Sequence, residues 1–397
     1  MDVDDTAVEG VMSELETLKI EIPSWGFANT GTRFGKYLQA GAATTLEEKF
    51  ADAAEVNSLT GITPTLALHV NWDLPGGVGD VAATRRLATK YGVRPGSINP
   101  NLFQDQDYKF GSICNPDPAI RKKAIDHLIE SVEIAKELGS RDISLWIADG
   151  SNYPGAQSIR KRIAWLEEAL SATHDKLNPG QRMLVEYKPF EPAFYHTDIA
   201  DWGMAVHLAQ TAGPQARVLV DTGHHYQAQN IEQVVAWLLH LQLLGGFHFN
   251  DRRYADDDLT IGSIDPYQVF RIFHEIFSEP DPVLSGDVAY MIDQSHNIKG
   301  KVEAMVQTVV TAQELYLKAG LVDREKLAEL QSEAKTIEAE ECLRSAFWTD
   351  VRPALREWRR RRGLPEDPLE ALRGSGYLAR IEEERREKNA LLSATYA

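Results

Sequence analysis

Apolar residues along the chain fall into eight short β-rich runs, and longer amphipathic segments separate these runs. Such an alternation predicts parallel βα units of the α/β class. The predicted strands are 18–25, 64–70, 96–99, 142–148, 182–188, 217–223, 244–250 and 288–294. Eight units is the number that closes a (β/α)₈ TIM barrel. An open doubly wound sheet is disfavoured, because it would use fewer strands and would begin with a Gly-rich phosphate turn, which is absent.

Signals for helix ends support the same division of the chain. Thr45 and Glu48 have capping-box spacing at the start of one amphipathic segment. Asp-Pro pairs open the helical segments 117–139 and 265–279, and Gly139 ends the first of them. We therefore expect helices between the strands.

The character of the chain changes after residue 319, where strand signals stop and charged, helix-favouring residues dominate. We predict a barrel over residues 1–319, with an N-terminal segment, and a helical C-terminal extension over 320–397. Neighbouring Glu residues largely cancel the arginine run at 359–362. The extension is therefore expected to contact a neighbouring subunit, with Trp348 and Trp358 supplying apolar area.

Composition narrows the class of protein. The 397 residues are 43% hydrophobic and 25% charged, a balance typical of globular proteins. The net charge of −17 argues against a nucleic-acid partner, because phosphate binding depends on Lys and Arg. The two cysteines, Cys114 and Cys342, are far apart and indicate no disulfide framework. Without a signal-like or membrane-length apolar run, we expect a cytoplasmic protein with no membrane partner.

Polar and aromatic residues concentrate at the predicted C-terminal ends of the strands, where TIM barrels hold their active sites. In chain order these residues are Trp25, His69, Asn99, Trp146, Glu186, Lys188, Asp221, His224, His248 and Asp293. Each alone has an ordinary explanation, such as a helix cap or a buried polar residue. Together, so many carboxylates at one barrel mouth need cations to hold them.

The candidate metal ligands separate into two groups. Four residues on successive strands are predicted to surround one ion: Glu186, Asp221, His248 and Asp293. A second ion is predicted to share Asp221 and to bind three further residues: His224, Asp256 and Asp258. Alternate residues of an extended segment point the same way, so a D-x-D segment can present both carboxylates together. An exposed acidic loop is the alternative explanation of that segment.

Oxygen-rich donors with one or two imidazoles favour Mn²⁺, Co²⁺ or Mg²⁺ over a closed thiolate zinc site. We therefore expect two divalent ions per chain, with Mn²⁺ as the first choice.

The motifs E-x-K at 186–188, D-x-x-H at 221–224, D-x-D at 256–258 and the last-strand Asp293 together resemble the two-metal site of the xylose isomerase-like barrels. Residues 18–300 are most similar to the L-rhamnose isomerases of the pseudomonad type, and the segment NTGTRFGKYLQAG supports that subgroup. The resemblance implies a structural metal in the first ligand group, a mobile catalytic metal in the second, and a homotetramer.

Three positions differ from xylose isomerases proper. Those enzymes place an Asp three residues after the His of the second strand, whereas here Trp72 follows His69 at that distance and Asp73 comes next. The bridging ligand is Asp221 rather than Glu, and His248 stands where xylose isomerases carry an Asp. The last two differences favour the rhamnose-type subgroup.

The expected reaction is the isomerisation of an aldose to a ketose, L-rhamnose to L-rhamnulose, by a two-metal 1,2-hydride shift. Lys188 is the candidate donor to the substrate carbonyl oxygen, and a lysine that only extends from the barrel rim into solvent is the alternative. His69 is the candidate for ring opening, and Asp293 or Asp258 would receive the O2 proton. With these carboxylates all assigned as metal ligands, His69 is the one uncommitted base, and its ring-side role leaves no good base to take a proton from C2.

Three aromatic residues are candidate substrate contacts. Trp72 and Trp146 are expected to form an apolar wall that excludes water, and core packing is the alternative for Trp146. The resemblance implies that Phe34 reaches into the pocket of a neighbouring subunit, and ordinary core packing is the alternative.

Competing functions remain within the same fold. A single-metal sugar epimerase or ketose isomerase would transfer a proton with a free Glu, but it would have no use for the second ligand group. A barrel like endonuclease IV would need more imidazole ligands and a basic rim, against the net charge of −17. A non-catalytic sugar-binding barrel would not need both metal groups.

Overall fold

Eight parallel strands form a closed barrel in chain order in the computed structural model, which describes residues 5–29, 37–190, 195–296 and 298–394. The strands are β1 (Ile20–Pro23), β2 (Thr65–His69), β3 (Arg94–Asn99), β4 (Asp142–Trp146), β5 (Arg182–Glu186), β6 (Ala216–Asp221), β7 (Leu244–Phe249) and β8 (Ala289–Ile292). Pairing of β1 with β8 closes the ring, with Ile20 opposite Tyr290. The predicted fold class is confirmed.

Each predicted strand overlaps an observed one, and the differences lie at the ends. Most observed strands stop earlier, because residues such as Lys188 leave the ladder where the chain turns into the barrel mouth. Strand β3 instead begins two residues earlier than predicted, at Arg94. Its Pro95 has no N–H to donate, and the register between β2 and β3 shifts just beyond it.

Helices cover the outside of the barrel and follow the predicted segments. They are α1 (Asp5–Thr17), α2 (Leu46–Thr60), α3 (Val70–Asp73), α4 (Val81–Tyr91), α5 (Pro118–Leu138), α6 (Ile159–His174), α7 (Trp202–Ala212), α8 (Ile231–His240), α9 (Pro266–Phe277), α10 (Pro282–Gly286) and α11 (Lys301–Gly320). The capping box of Thr45 and Glu48 is present at the start of α2. Gly139 ends α5 in the left-handed conformation, with φ of 72°. Among the described helices, none has both the length and the apolarity needed to cross a bilayer.

Five more helices form the C-terminal extension: α12 (Arg324–Ser332), α13 (Thr336–Trp348), α14 (Arg352–Arg361), α15 (Pro368–Gly374) and α16 (Tyr377–Ala394). They pack on the barrel of the same chain, and Leu372 and Trp358 belong to the main hydrophobic core. A buried ion pair joins Arg385 of α16 to Asp52 of α2 at 2.8 Å. The extension and the barrel therefore share one core.

The two tryptophans expected at a subunit contact differ. Trp358 is only 2% exposed, so the expectation that it would supply contact area is wrong; its own chain already covers it. Trp348 is 71% exposed at the end of α13 and is available for a contact. A role of the extension in assembly stays a prediction.

Candidate metal centre and active site

Three apolar side chains inside the barrel form a floor under the site. Leu184, Leu219 and Met291 make a buried cluster of their own, apart from the main core. Successive side chains of a strand alternate in direction, so the residues two positions further on point the same way. Those residues are Glu186, Asp221 and Asp293. The alternation of β5, β6 and β8 thus raises three carboxylates from one apolar layer into the barrel mouth.

The fourth member of this layer is an imidazole, and the residue below it is a glycine. A Cβ at Gly246 would lie 2.6 Å from the carbonyl oxygen of Ala289, so β7 and β8 approach too closely there for a side chain. Two residues later His248 lies with Nδ1 at 3.3 Å from Oε1 of Glu186 and at 3.8 Å from Oδ2 of Asp293.

The structure brings the first predicted ligand group together. One donor atom from each of Glu186, Asp221, His248 and Asp293 lies within 4.8 Å of the others. Trp25 donates from Nε1 to Oδ1 of Asp293 at 2.7 Å, which fixes the orientation of that carboxylate.

A second cluster shares Asp221 and contains two of the three further predicted ligands. Atoms of Asp221, His224 and Asp256 lie within 4.8 Å of one another. Nε2 of His224 is 3.6 Å from Oδ2 of Asp221 and 3.4 Å from Oδ2 of Asp256. Nδ1 of His224 is 3.0 Å from the backbone oxygen of Tyr187, which orients the ring.

Asp258 lines a cavity above these clusters but belongs to neither of them. The expected geometry of the D-x-D segment is wrong, because the segment is not extended: Asp258 adopts a left-handed φ of 48°. Its assignment as a ligand stays a prediction.

Burial and crowding of like charges shift the pKa values of these groups. Burial and then the neighbouring carboxylates raise the pKa of Asp221 to about 7 against the attraction of His224. Burial disfavours protonation of the two histidines, but the carboxylates outweigh it and raise the pKa of His224 to about 9 and of His248 to about 10. In Glu186, burial is outweighed by His248, and the pKa falls. Without cations, protons on the imidazoles balance the carboxylates.

The donor set fits divalent cations. Oδ1 of Asp221 accepts from the backbone N of Gly223 at 2.7 Å and from Nδ2 of Asn250 at 3.0 Å. Oδ2 of Asp221 is buried and accepts no hydrogen bond from the described residues. A buried carboxylate oxygen without a hydrogen-bond donor, close to further carboxylates and imidazoles, suits a cation with mixed oxygen and nitrogen preference.

A cavity of about 260 Å³ opens above the two clusters. Both predicted wall residues line it, together with Phe103, whose ring centroid is 4.8 Å from that of Trp146. Trp72 stacks on His69 at 3.8 Å between ring centroids. Aromatic walls with a few convergent polar groups are typical of a site for a small organic ligand.

His69 lines the cavity, and its buried Nδ1 has no hydrogen-bond partner among the described residues. Asp73 accepts from the backbone N of His69 at 2.8 Å and binds Oγ of Ser24 and Nζ of Lys49, both at 2.5 Å. The carboxylate thus holds the end of strand β2 instead of forming a His–Asp dyad. Burial holds the pKa of His69 well below its usual value, and the charge of Lys49 adds to the effect.

Lys188 points into the cavity, as its spacing from Glu186 predicts. Its Nζ lies 2.7 Å from Oδ2 of Asp256 and 5.0 Å from the ring centre of Trp146. The ammonium thus pairs with a candidate metal ligand. Phe34 lies outside the described residues, so its expected contact stays a prediction.

Sequence reasoning did not assign a site role to Trp25, Phe103 or Asn250. The sequence places Trp25 among the strand-end residues without a role, and its hydrogen bond to Asp293 gives it one. Phe103 reaches the cavity through the conformation of its loop, and Asn250 contributes one hydrogen bond to Asp221. Neither contact gives a periodic signal in the sequence.

Comparison with known proteins gives the family. The profile of the xylose isomerase-like TIM barrel family matches residues 52–279. A probable sugar isomerase of Rhizobium meliloti is 39% identical over 384 residues, which span 95% of this chain and 89% of the relative. A xylose isomerase of Thermus thermophilus is 28% identical over 189 residues, covering 45% of this chain and 48% of the relative. The chain belongs to the xylose isomerase-like TIM barrel family.

Solved structures share the fold at low sequence identity. The 3-keto-D-glucoside 4-epimerase of E. coli has a TM-score of 0.55 and 12% identity, covering 75% of this chain and 99% of its own. An L-ribulose 3-epimerase has a TM-score of 0.53 and 15% identity, covering 79% of this chain and 98% of its own. At these identities the likeness shows the fold alone.

Proposed function

We propose that this protein is a metal-dependent sugar isomerase that interconverts an aldose and its ketose, with L-rhamnose and L-rhamnulose as the expected pair. The main support is geometric: two clusters of candidate metal ligands share Asp221 at the base of one aromatic-walled cavity. Two cations side by side can bind two neighbouring oxygens of one substrate. A reaction that used one cation would leave the second ligand cluster without a role. The relatives named as probable sugar isomerases support the same class.

The proposed metal ligands are Glu186, Asp221, His248 and Asp293 for one ion, and Asp221, His224, Asp256 and Asp258 for the other. When bound, such cations would act as Lewis acids on oxygens O1 and O2 of the sugar. Mn²⁺ is the proposed ion, with Co²⁺ or Mg²⁺ as alternatives.

The side chains around the cavity have distinct proposed roles. Lys188 donates to the carbonyl oxygen of the open-chain sugar, since its ammonium already lies among the carboxylates of the site. Trp72, Trp146 and Phe103 exclude water from the reacting carbons. His69 holds or releases the ring oxygen, and Asp293 or Asp258 receives the O2 proton.

The available bases favour a hydride shift from C2 to C1. Proton abstraction needs a base about 3 Å from the carbon and poised near the working pH. The carboxylate of Asp257 already accepts from the backbone N atoms of Arg253 and Tyr254. Burial leaves His69 neutral but a weak base, because its pKa lies well below the usual value. Direct transfer of hydrogen between the carbons avoids the need for a base.

One observation favours a second candidate, a sugar epimerase or ketose isomerase that works by proton transfer. Asp258 lines the cavity outside both ligand clusters. If it does not bind a cation, its position on the cavity wall would suit it to move a proton at the substrate carbon.

Metal stoichiometry and product identity separate the candidates. Protein stripped with EDTA and dialysed against Mn²⁺ is analysed for bound metal, then assayed with L-rhamnose, L-lyxose, L-mannose, D-allose and D-xylose. Two ions per chain, ketose products and the highest kcat/KM for L-rhamnose are expected. One ion per chain with epimerised sugar as product would overturn the isomerase proposal.

Assembly as a homotetramer is proposed on the family resemblance and on the outer face of α13. Ile337 and Trp348 are 76% and 71% exposed there and offer apolar area for a contact. A Trp348→Glu variant should show a lower mass by light scattering. An unchanged tetramer would remove α13 from the interface.

A further inference from the structure

Two irregular segments carry the ligands that belong only to the second cluster. His224 lies in the turn 222–226 after β6, and Asp256 lies in the loop 251–258 after β7. Neither segment has the repeated hydrogen bonds of a helix or strand through its ligand residue. By contrast, Glu186 and His248 of the first cluster lie within strands. Other contacts must therefore fix the positions of His224 and Asp256 in the second cluster.

Arg252 supplies hydrogen bonds to the turn around His224. Its guanidinium donates from Nε to the backbone oxygen of His225 at 2.6 Å, from Nη1 to that of Thr222 at 2.9 Å, and from Nη2 to that of Tyr226 at 3.1 Å. Its side chain is buried, and the whole residue is 7% exposed. Three carbonyls of one turn thus bind one rigid planar group, which lysine cannot imitate.

The backbone of Arg252 is itself fixed at the base of the loop that carries Asp256. Asp251 accepts from the backbone N of Arg252 at 2.8 Å through Oδ1 and from the backbone N atoms of Ile264 and Asp265 through Oδ2. This anchor sets the position from which the guanidinium reaches the neighbouring turn.

Gln227 joins the same two segments in the opposite direction. Its Nε2 donates to the backbone oxygens of Arg253 and Tyr254, at 2.8 and 2.7 Å. The turn after β6 and the loop after β7 are therefore bonded together from both sides, with Arg252 as the charged and buried contact.

We propose that Arg252 is a positioning residue that sets the distance between His224 and Asp256 and thereby the affinity of the second cluster for a divalent cation. The inference rests on the proposed two-cation site. Residues that orient the ligands of a metal typically change its affinity about 10- to 100-fold when they are replaced. We expect an effect of that size on the second cluster and little on the first, whose ligands lie on strands and next to them.

The test measures Mn²⁺ binding to EDTA-stripped protein by calorimetry and by the electron paramagnetic resonance of the free ion. Arg252→Met removes all the donors, and Arg252→Lys keeps the charge but loses the planar fork. Both variants should bind the weaker ion about 10- to 100-fold less tightly, with the tighter ion unchanged within about twofold. The lysine variant provides the measurement if the methionine variant does not fold.

Arg162→Lys is the matched control. Arg162 is a buried arginine that pairs with Asp198 and donates to the backbone oxygens of Cys114 and Gly150, none of which belongs to the ligand segments. Its replacement should leave the ratio of the two affinities as in wild type. Equal weakening of both ions in the Arg252 variants, or two unchanged affinities, would overturn the positioning role. A wild-type protein that binds one ion would instead refute the two-cation proposal and this inference with it.

Discussion

Replacement of Asp221 by Asn should have opposite effects on stability with and without metal. The carboxylate is fully buried among other carboxylates, and one of its oxygens accepts no hydrogen bond from the described residues. In the metal-free protein this buried negative charge destabilises the folded state. In the loaded protein it is the proposed shared ligand, so its removal should release both ions.

The size of the effect follows from the pKa of Asp221, which rises from an ordinary 3.8 to about 7 in the fold. That difference corresponds to roughly 4 kcal/mol. Since the folded pKa lies above the unfolded one, the penalty is absent below pH about 4, grows as the pH rises, and is complete above pH about 7.

Asn keeps an oxygen for the donors Gly223 and Asn250. Its new amide faces Nε2 of His224, which costs about 1–3 kcal/mol. Asp221→Asn should therefore stabilise the metal-free protein by roughly 1–3 kcal/mol at pH 8.

Thermal melting at pH 8 tests this reasoning, once in EDTA and once in excess Mn²⁺. In EDTA the variant should melt above wild type. In Mn²⁺ the order should reverse, because only wild type gains stability from bound metal. Asp251→Asn is the control: this buried carboxylate accepts three backbone N–H groups, so its replacement should destabilise the fold in both buffers. A metal-free Asp221→Asn protein that melts below wild type would refute the electrostatic account.

Three further predictions concern the site and its support. Lys188→Met should lower kcat by about 10²-fold, measured by steady-state kinetics. It should also strengthen Mn²⁺ binding, measured by calorimetry, because the ammonium of Lys188 competes with the cation for Asp256. Weaker Mn²⁺ binding would contradict this competition. Because the metal-free pKa values of His224 and His248 are about 9 and about 10, Mn²⁺ binding at pH 7 should release protons and tighten as the pH rises. Calorimetry in buffers of different ionisation enthalpy should show this, and a buffer-independent heat would refute it. Arg385→Met leaves a buried carboxylate on α2 unpaired and should cost about 3–5 kcal/mol of stability by denaturant unfolding, whereas a neutral effect would mean that α16 adds little.

The barrel could be predicted because strands buried on both faces give nearly continuous apolar runs. Runs such as 182–188 and 217–223 extend past the C-terminal ends of their strands, because the pattern does not show where a residue leaves the ladder for the barrel mouth. The C-terminal extension was predictable as helix, but its packing was not. Trp348 and Trp358 look alike in sequence, and only the tertiary fold decides that one is exposed and the other is core.

The clustering of candidate ligands at strand ends could be predicted because barrel closure brings successive strand ends together. Glu186, Asp221, His248 and Asp293 illustrate this. This prediction fails in loops, where the direction of a side chain depends on the local backbone conformation. Asp258 adopts a left-handed φ and does not join the cluster that contains Asp256. Arg252 carries no sequence signal at all, since its donors reach backbone oxygens that any residue could supply.

The path of the substrate hydrogen tests the central proposal most directly. L-Rhamnose deuterated at C2 is converted in ordinary water by Mn²⁺-loaded protein within a single turnover, and the ketose is examined by NMR and mass spectrometry. A 1,2-hydride shift predicts that the deuterium is retained at C1 of L-rhamnulose. Complete loss of the label to solvent would contradict the hydride shift and indicate proton transfer, with Asp258 and His69 as the first bases to replace.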